Sequence, residues 1–178
     1  MIKCVKYSGK KTSSVELDKV NLIRDRVWVN VISPNEKELD KLKNKFKLYA
    51  RDLVDSLDEN EIPRLSTRDR YSFIVFRSLI GKNSVPVGIF LSKNFIITIH
   101  AKPLKPISTF FKIMFTSEGP EFFGRGIDFL FYKIVSEMNR NLHKDLNDFD
   151  DKLDAIEYKV LKNKMNNIKP IIGRIKAI

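Results

Sequence analysis

The chain has 178 residues, a length that fits one domain or one domain with an extension. Its 33 Lys and Arg against 22 Asp and Glu give a formal charge of +11, which fits either contact with an anionic partner, nucleic acid or acidic lipid, or a solvated basic surface. The single cysteine, Cys4, excludes an internal disulfide framework and a cysteine-based zinc site, and a reducing compartment fits best. No stretch approaches the ~20 continuous apolar residues of a membrane helix, so the chain as given reads as soluble.

Residues 2–7 alternate apolar and polar side chains and predict a short strand. A turn over 8–11 follows, with 15–17 as its hairpin partner. Residues 27–32 are β-branched and aromatic and form a second strand. Ser33-Pro34-Asn35-Glu36 reads as a helix start, with Ser33 as cap, Pro34 at the first helical position and Glu36 closing a capping box. That helix buries Leu39, Leu42 and Phe46. A second short helix over 50–57 has Leu53, Val54 and Leu57 as its apolar side, and Pro63 ends the connection after it. Strands are expected over 71–80, 85–91 and 95–100. The last is apolar on both faces, as befits a central strand. A helix over 107–115 buries Phe110, Phe111, Met114 and Phe115, and 117–120 is a loop.

Residues 128–161 carry apolar side chains at steps of three and four: Leu130, Phe131, Ile134, Val135, Met138, Leu142, Leu146, Phe149, Leu153, Ile156 and Val160. This is one amphipathic helix of roughly 50 Å, at about 1.5 Å per residue. It is longer than one small domain requires, and such a helix reaches toward another helix or subunit. Asn166, Asn167 and Pro170 interrupt the pattern. A new apolar series (Ile171, Ile172, Ile175, Ile178) then begins, so the polypeptide is expected to continue beyond this stretch.

There is no Gly-rich phosphate loop, no Gly-x-Ser-x-Gly elbow, and no second ligand at metal spacing near His100 or His143. The expectation is a protein that is not an enzyme. Two constellations remain. Tyr71, Phe73 and Phe76 follow Arg70 with the rhythm of an RNA-stacking strand, but Asp69 and Arg70 stand where a basic residue and a glycine belong, and a sheet core explains the same aromatics. Asp52, Asp55, Asp58, Glu59 and Glu61 crowd one helix end. Asp145, Asp148, Asp151 and Asp154 step by threes along the long helix. Carboxylates so placed repel one another, and either a hard divalent cation or nearby lysines such as Lys144, Lys152 and Lys159 can balance them.

Taken in order, Trp28-Val29-Asn30-Val31, Ser33-Pro34, Leu53-Val54-Asp55-Ser56-Leu57, Ile62-Pro63-Arg64, Tyr71-Ser72-Phe73-Ile74-Val75, Val87-Gly88-Ile89-Phe90-Leu91 and Asn94-Phe95-Ile96-Ile97-Thr98-Ile99-His100 resemble the cytoplasmic domain of CorA-type magnesium transporters. The acidic helix after Asp128 matches as well. The resemblance implies an α+β fold: an α/β/α sandwich with a mixed sheet, followed by long helices that lead to a stalk helix. It divides the chain into a sheet domain (1–122), the long acidic helix (123–163) and the start of the stalk (164–178).

It further implies a cation-sensing module of a magnesium or divalent-cation transporter at the cytoplasmic face of the cell membrane, five copies forming a homopentamer. The membrane helices lie outside this stretch. The bound ion would be Mg2+, with Co2+ or Ni2+ as alternatives, held between subunits. Asp55 falls at the family's regulatory half-site, next to Val54 where relatives often have glutamate. A further acidic position falls on Ser136. Asp58, Asp148 and Asp151 are additional acidic candidates for metal. The alternative function is a basic RNA- or DNA-binding domain, while the family reading expects no nucleic acid partner.

Overall fold

The computed structural model describes residues 1–81 and 83–162, without the side chains of Asp145 and of 160–162. The stalk segment expected over 164–178 lies outside the described residues, as do the interruption at Asn166, Asn167 and Pro170 and the apolar series after it. The chain divides into two compact units, Met1–Met138 and Asn139–Ile178.

In the first unit, seven strands run β1 (Ile2–Ser8), β2 (Lys11–Val15), β3 (Arg26–Ile32), β4 (Arg64–Thr67), β5 (Ser72–Ile80), β6 (Asn83–Leu91) and β7 (Phe95–His100). Their order in the sheet is β2-β1-β3-β7-β6-β5-β4. Only β3 and β7 pair in parallel; the other neighbours are antiparallel, so the sheet is mixed. Helices α1 (Glu36–Phe46) and α2 (Ala50–Asp55) cover one face. Helices α3 (Lys105–Ile113) and α4 (Gly119–Gly124) and the first turns of α5 (Ile127–Lys162) cover the other.

Strand alternation sorts the core into these two layers. Val27, Val29 and Val31 of β3 and Phe95, Ile97 and Ile99 of β7 pack with Leu42, Phe46 and Leu53. Trp28 and Ile96 face the opposite way, onto Ile107, Phe110, Phe111, Phe123, Leu130 and Ile134. All six residues of β7 are buried, as its two-faced apolar sequence requires. The expected α/β/α sandwich is therefore the observed fold. Ile127, Leu130, Ile134 and Met138 are the buried stripe of α5 in this unit. In the second unit the described part of α5 exposes Leu146, Phe149 and Tyr158.

Several local expectations are corrected. The hairpin partner of β1 is Lys11–Val15 rather than 15–17. Gly9 and Lys10 both take positive φ, 57° and 63°, which makes a two-residue turn and returns the chain at Lys11. The cap of α1 is Asn35 rather than Ser33. Ser33 has φ 47° and its N–H donates to the His100 carbonyl oxygen at 2.9 Å, so it ends β3 instead. Asn35 Oδ1 accepts from the Glu38 N–H (2.9 Å), and Glu38 Oε2 accepts from the Asn35 N–H (3.1 Å), a complete capping box. Asn35→Ala is expected to lower stability by about 1 kcal/mol, and Ser33→Ala by clearly less, in urea unfolding. The connection at 117–120 is not all loop. Gly119 and Pro120 open α4, where proline fits the first turn and a β-carbon on residue 119 would overlap the Met114 carbonyl. Phe115 is exposed, because α3 stops at Ile113 and the chain leaves its buried face. Val54 is 64% exposed, on the outer side of α2.

A polar chain crosses the buried layer beside Trp28. Its Nε1–H donates to Thr98 Oγ1 (3.1 Å), and the Thr98 hydroxyl donates to Asn30 Oδ1 (3.0 Å). His100 is wholly buried, with Nδ1 2.6 Å from the Lys102 carbonyl oxygen and Nε2 3.0 Å from Asn30 Oδ1. Burial holds the imidazole below its ordinary value of 6.5, the Lys102 bond opposing. The unfolded chain then binds the proton first, so this contribution to stability is complete above about pH 6.5 and declines as pH falls below it. Wild type is expected to lose stability between pH 6.5 and 5 with a slope of up to about 1.4 kcal/mol per pH unit more than His100→Gln, measured by urea unfolding at each pH.

Candidate functional site

The acidic residues around α2 lie where that helix, the connection after it and the edge strand β4 meet. On β4 residues 64 and 66 point to one face and Leu65 to the other, as strand geometry demands. The same alternation carried past the strand aims Arg68 the way of Arg64. Asp52, Asp55 and Glu61 each therefore meet an arginine instead of another carboxylate.

Asp52 is wholly buried. It accepts from Arg68 Nε (3.0 Å) and Nη2 (2.6 Å), a two-pronged pair, and from the Tyr71 hydroxyl (2.7 Å). Tyr71 oxygen in turn accepts from the Tyr49 N–H at 2.9 Å. Burial pushes the Tyr71 phenol up to about 12, and the Asp52 bond adds to this, so it stays a donor. The Asp52 hydrogen bond likewise raises the Arg68 guanidinium.

Asp55, the last residue of α2, keeps 14% of its side chain exposed. Its Oδ2 accepts from Arg64 Nη2, and Arg51 Nε stands 3.8 Å from the same oxygen. Arg64 Nε donates to Glu61 Oε1 (2.7 Å), and its guanidinium lies 5.1 Å from the centre of the Phe73 ring. Asp58 Oδ1 accepts from the Asn60 N–H (2.9 Å) in the turn before β4, and the Glu59 carbonyl accepts from Arg77.

The crowd of acids read from the sequence is thus divided: Asp52 goes to Arg68, Asp55 and Glu61 to Arg64, Asp58 to its own turn. Ser136 is half-buried on α5. Asp148 and Asp151 are exposed on the part of α5 that belongs to the second unit. Among the described residues, no three His, Cys, Asp or Glu side chains converge as a metal cage. Tyr71 and Phe73 are core residues, and Phe76 packs against the opposite core layer, which accounts for the strand that resembled an RNA-stacking motif.

Arginine partners were not foreseen from the sequence. The available signal was the spacing itself: Asp52 and Asp55 one helical turn apart, facing Arg64 and Arg68 four apart after a proline.

The sequence profile of the family described as CorA-like Mg2+ transporter protein matches residues 24–178. The chain is 31% identical over 138 residues to the cobalt/magnesium transport protein CorA of Methanocaldococcus jannaschii, a match covering 76% of this chain and 44% of that protein. Its structure is similar to that of the complete CorA magnesium transporter of the same organism, with a TM-score of 0.81, 26% identity, and coverage of 98% of this chain and 55% of the other. The soluble domain of that CorA gives a TM-score of 0.79 at 27% identity, over 97% and 68% of the two chains. The chain spans less than half the length of the curated relative it matches. Among the described residues no helix is long and apolar enough to cross a membrane. The α/β/α sandwich, the mixed sheet and the profile match agree: this chain belongs to the CorA-like Mg2+ transporter protein family, and its fold is that of the family's soluble domain.

Proposed function

We propose that this chain is the cytoplasmic part of a longer membrane protein that transports Mg2+, with Co2+ or Ni2+ as alternative cargo, and that five copies assemble at the cytoplasmic face of the cell membrane. The observation that supports this most is the likeness to a complete magnesium transporter over 98% of the chain. The domain serves no catalytic role in this reading. It senses divalent cations and sets the state of the assembly.

Asp55 contributes the carboxylate from this chain. Magnesium keeps several waters and uses one or two carboxylates, so a lone, partly exposed aspartate fits half a site, the other half coming from a neighbouring copy. A divalent ion, when bound there, supplies the positive charge that offsets repulsion between carboxylates of two copies. Asp55 then holds its copy to the next only in the assembled state, and without that bridge the population moves toward a looser arrangement. Asp148 and Asp151, one helical turn apart and exposed, are a second pair of oxygen donors for the same class of ion. Asp58, which is committed to its turn, ranks below them.

The test is a Mg2+ titration of the full-length protein across the millimolar range, following trypsin cleavage and sedimentation. Wild type is expected to become more protected and to hold its assembly as Mg2+ rises, and Asp55→Asn to lose that response. A wild-type protein whose cleavage and assembly ignore Mg2+ would sink the reading.

A further inference from the structure

We propose that a basic cleft at one end of the sheet binds a phosphate group, free or at the head of a small ester. The cleft does not include Asp55, and its chemistry is that of an anion site.

The cleft has a volume of about 810 Å³ and forms where β3 starts, where the β4–β5 and β6–β7 connections meet, and where α5 begins. Arg26, Arg68, Arg70 and Lys93 line it. They come from three separate stretches of chain, so the fold gathers them and no basic run in the sequence does. Among the described residues Arg26, Arg70 and Lys93 stand in no ion pair, and Arg68 pairs only with Asp52. Cations gathered without counter-charges repel one another, and an anion between them relieves this.

The arginines are held in place. Asp52, wholly buried, takes Nε and Nη2 of Arg68, which fixes the guanidinium and leaves Nη1 over. Arg26 Nη1 donates to the Phe123 carbonyl at 2.7 Å, which leaves Nε and Nη2. The Ser92 hydroxyl donates to the Arg70 carbonyl at 2.8 Å and ties the two connections together. Guanidinium groups with unused donors match phosphate oxygens, which accept in pairs. Donors fixed beforehand lose little freedom on binding.

Two carboxylates, Asp69 and Asp128, share the cleft. Asp128 lies in the first turn of α5, where the helix dipole offsets part of its charge. Four cations against two carboxylates leave a net +2. One phosphate group, at about −1.5 to −2, balances that charge. Leu91 and Ile127 supply apolar wall for the body of an ester.

The experiment is equilibrium dialysis of the full-length protein against inorganic phosphate and against adenosine monophosphate, up to millimolar concentrations, in EDTA and at constant ionic strength. Wild type is expected to bind saturably, with one phosphate group per chain. Arg70→Gln removes an exposed side chain that pairs with no acid, and is expected to weaken binding on the order of tenfold. Arg51→Gln removes the same charge outside the cleft and is expected to change binding by less than about twofold. Asp69→Asn removes a like charge and is expected to tighten binding about threefold. Lys93→Gln, also at an exposed position, is expected to weaken binding about threefold and serves if Arg70→Gln folds poorly. Tighter binding of the monophosphate than of phosphate assigns the site to an ester, and equal affinity assigns it to the free anion.

Wild type that binds neither compound saturably overturns the proposal. Equal losses in Arg51→Gln and Arg70→Gln overturn it too, since general charge then attracts the anion. Weaker binding in Asp69→Asn also overturns it, because a carboxylate beside a bound phosphate can only oppose it.

Discussion

Asp52→Ala is expected to lower the unfolding free energy by about 3 kcal/mol, with no loss of cooperativity in urea unfolding. The carboxylate has no exposure and accepts three hydrogen bonds, two from Arg68 and one from Tyr71. Alanine removes both acceptor oxygens, and with them all three bonds, at once. The Tyr71 hydroxyl is then a buried donor without an acceptor, and leaving such a group unpaired costs about 1–3 kcal/mol. The Arg68 side chain is one-third exposed and regains water, which keeps the total near the lower end of the range for a broken buried pair. Asp52→Asn keeps one acceptor oxygen and is expected to cost less than alanine. A double-mutant cycle of Asp52→Ala with Arg68→Ala checks the account: the double variant should be clearly more stable than the sum of the singles predicts, because the second change removes the charge that the first orphaned. Additive losses would mean that the two side chains do not depend on each other. A wild-type unfolding midpoint in Asp52→Ala would mean that α2 is held by its apolar side alone.

That network marks the limit of what a sequence shows. The long-range pairs are invisible until a strand is placed. Asp52 and Asp55 are legible as acids one turn apart, but whether their neighbour is a cation or an arginine depends on β4. β4 is short, mostly polar, and starts right after a proline. Nothing in Arg64-Leu65-Ser66-Thr67 shows the β-branched run that announces β3 or β7, because an edge strand has one neighbour and little to bury. Strands buried on both faces are legible for the opposite reason: every residue of 27–32 must be apolar, or, like Asn30, must find a partner inside. The start of α1 is an intermediate case. Its capping chemistry is plain in Ser33-Pro34-Asn35-Glu36-Lys37-Glu38, yet two registers satisfy it. The choice falls to a contact from afar, the Ser33 N–H on the His100 carbonyl. The sandwich was legible because periodicity and turn chemistry are local. The candidate site was legible only as a set of charges, because its geometry belongs to pairs nine and sixteen residues apart.

Gly88→Ala is expected to cost about 2 kcal/mol, the scale of overpacking a filled interior. Gly88 lies on β6 between Val75 of β5 and Ile99 of β7, in the middle of the sheet. A β-carbon there would overlap both Oγ and Cβ of Ser56 and stand 3.1 Å from its Cα. Ser56 caps the C-terminal end of α2 and donates its hydroxyl to the Asp52 carbonyl at 2.7 Å, so it cannot swing aside without losing a buried hydrogen bond. The helix end must lift instead. Two second-site changes separate this from a generic strand effect. Ser56→Ala removes the Oγ overlap but keeps the Cβ at 2.4 Å, and should relieve only a minor part of the loss. Ser56→Gly removes that Cβ as well and should restore more than half of the loss, a coupling between contacting residues that additivity does not predict. Full additivity of Gly88→Ala with Ser56→Gly would show that the glycine answers to the strand and not to the helix above it. The same seat controls the candidate site. Asp55 immediately precedes Ser56, so a lifted helix end carries its carboxylate away from Arg64. Gly88→Ala should therefore weaken the Asp55–Arg64 bond without touching either residue.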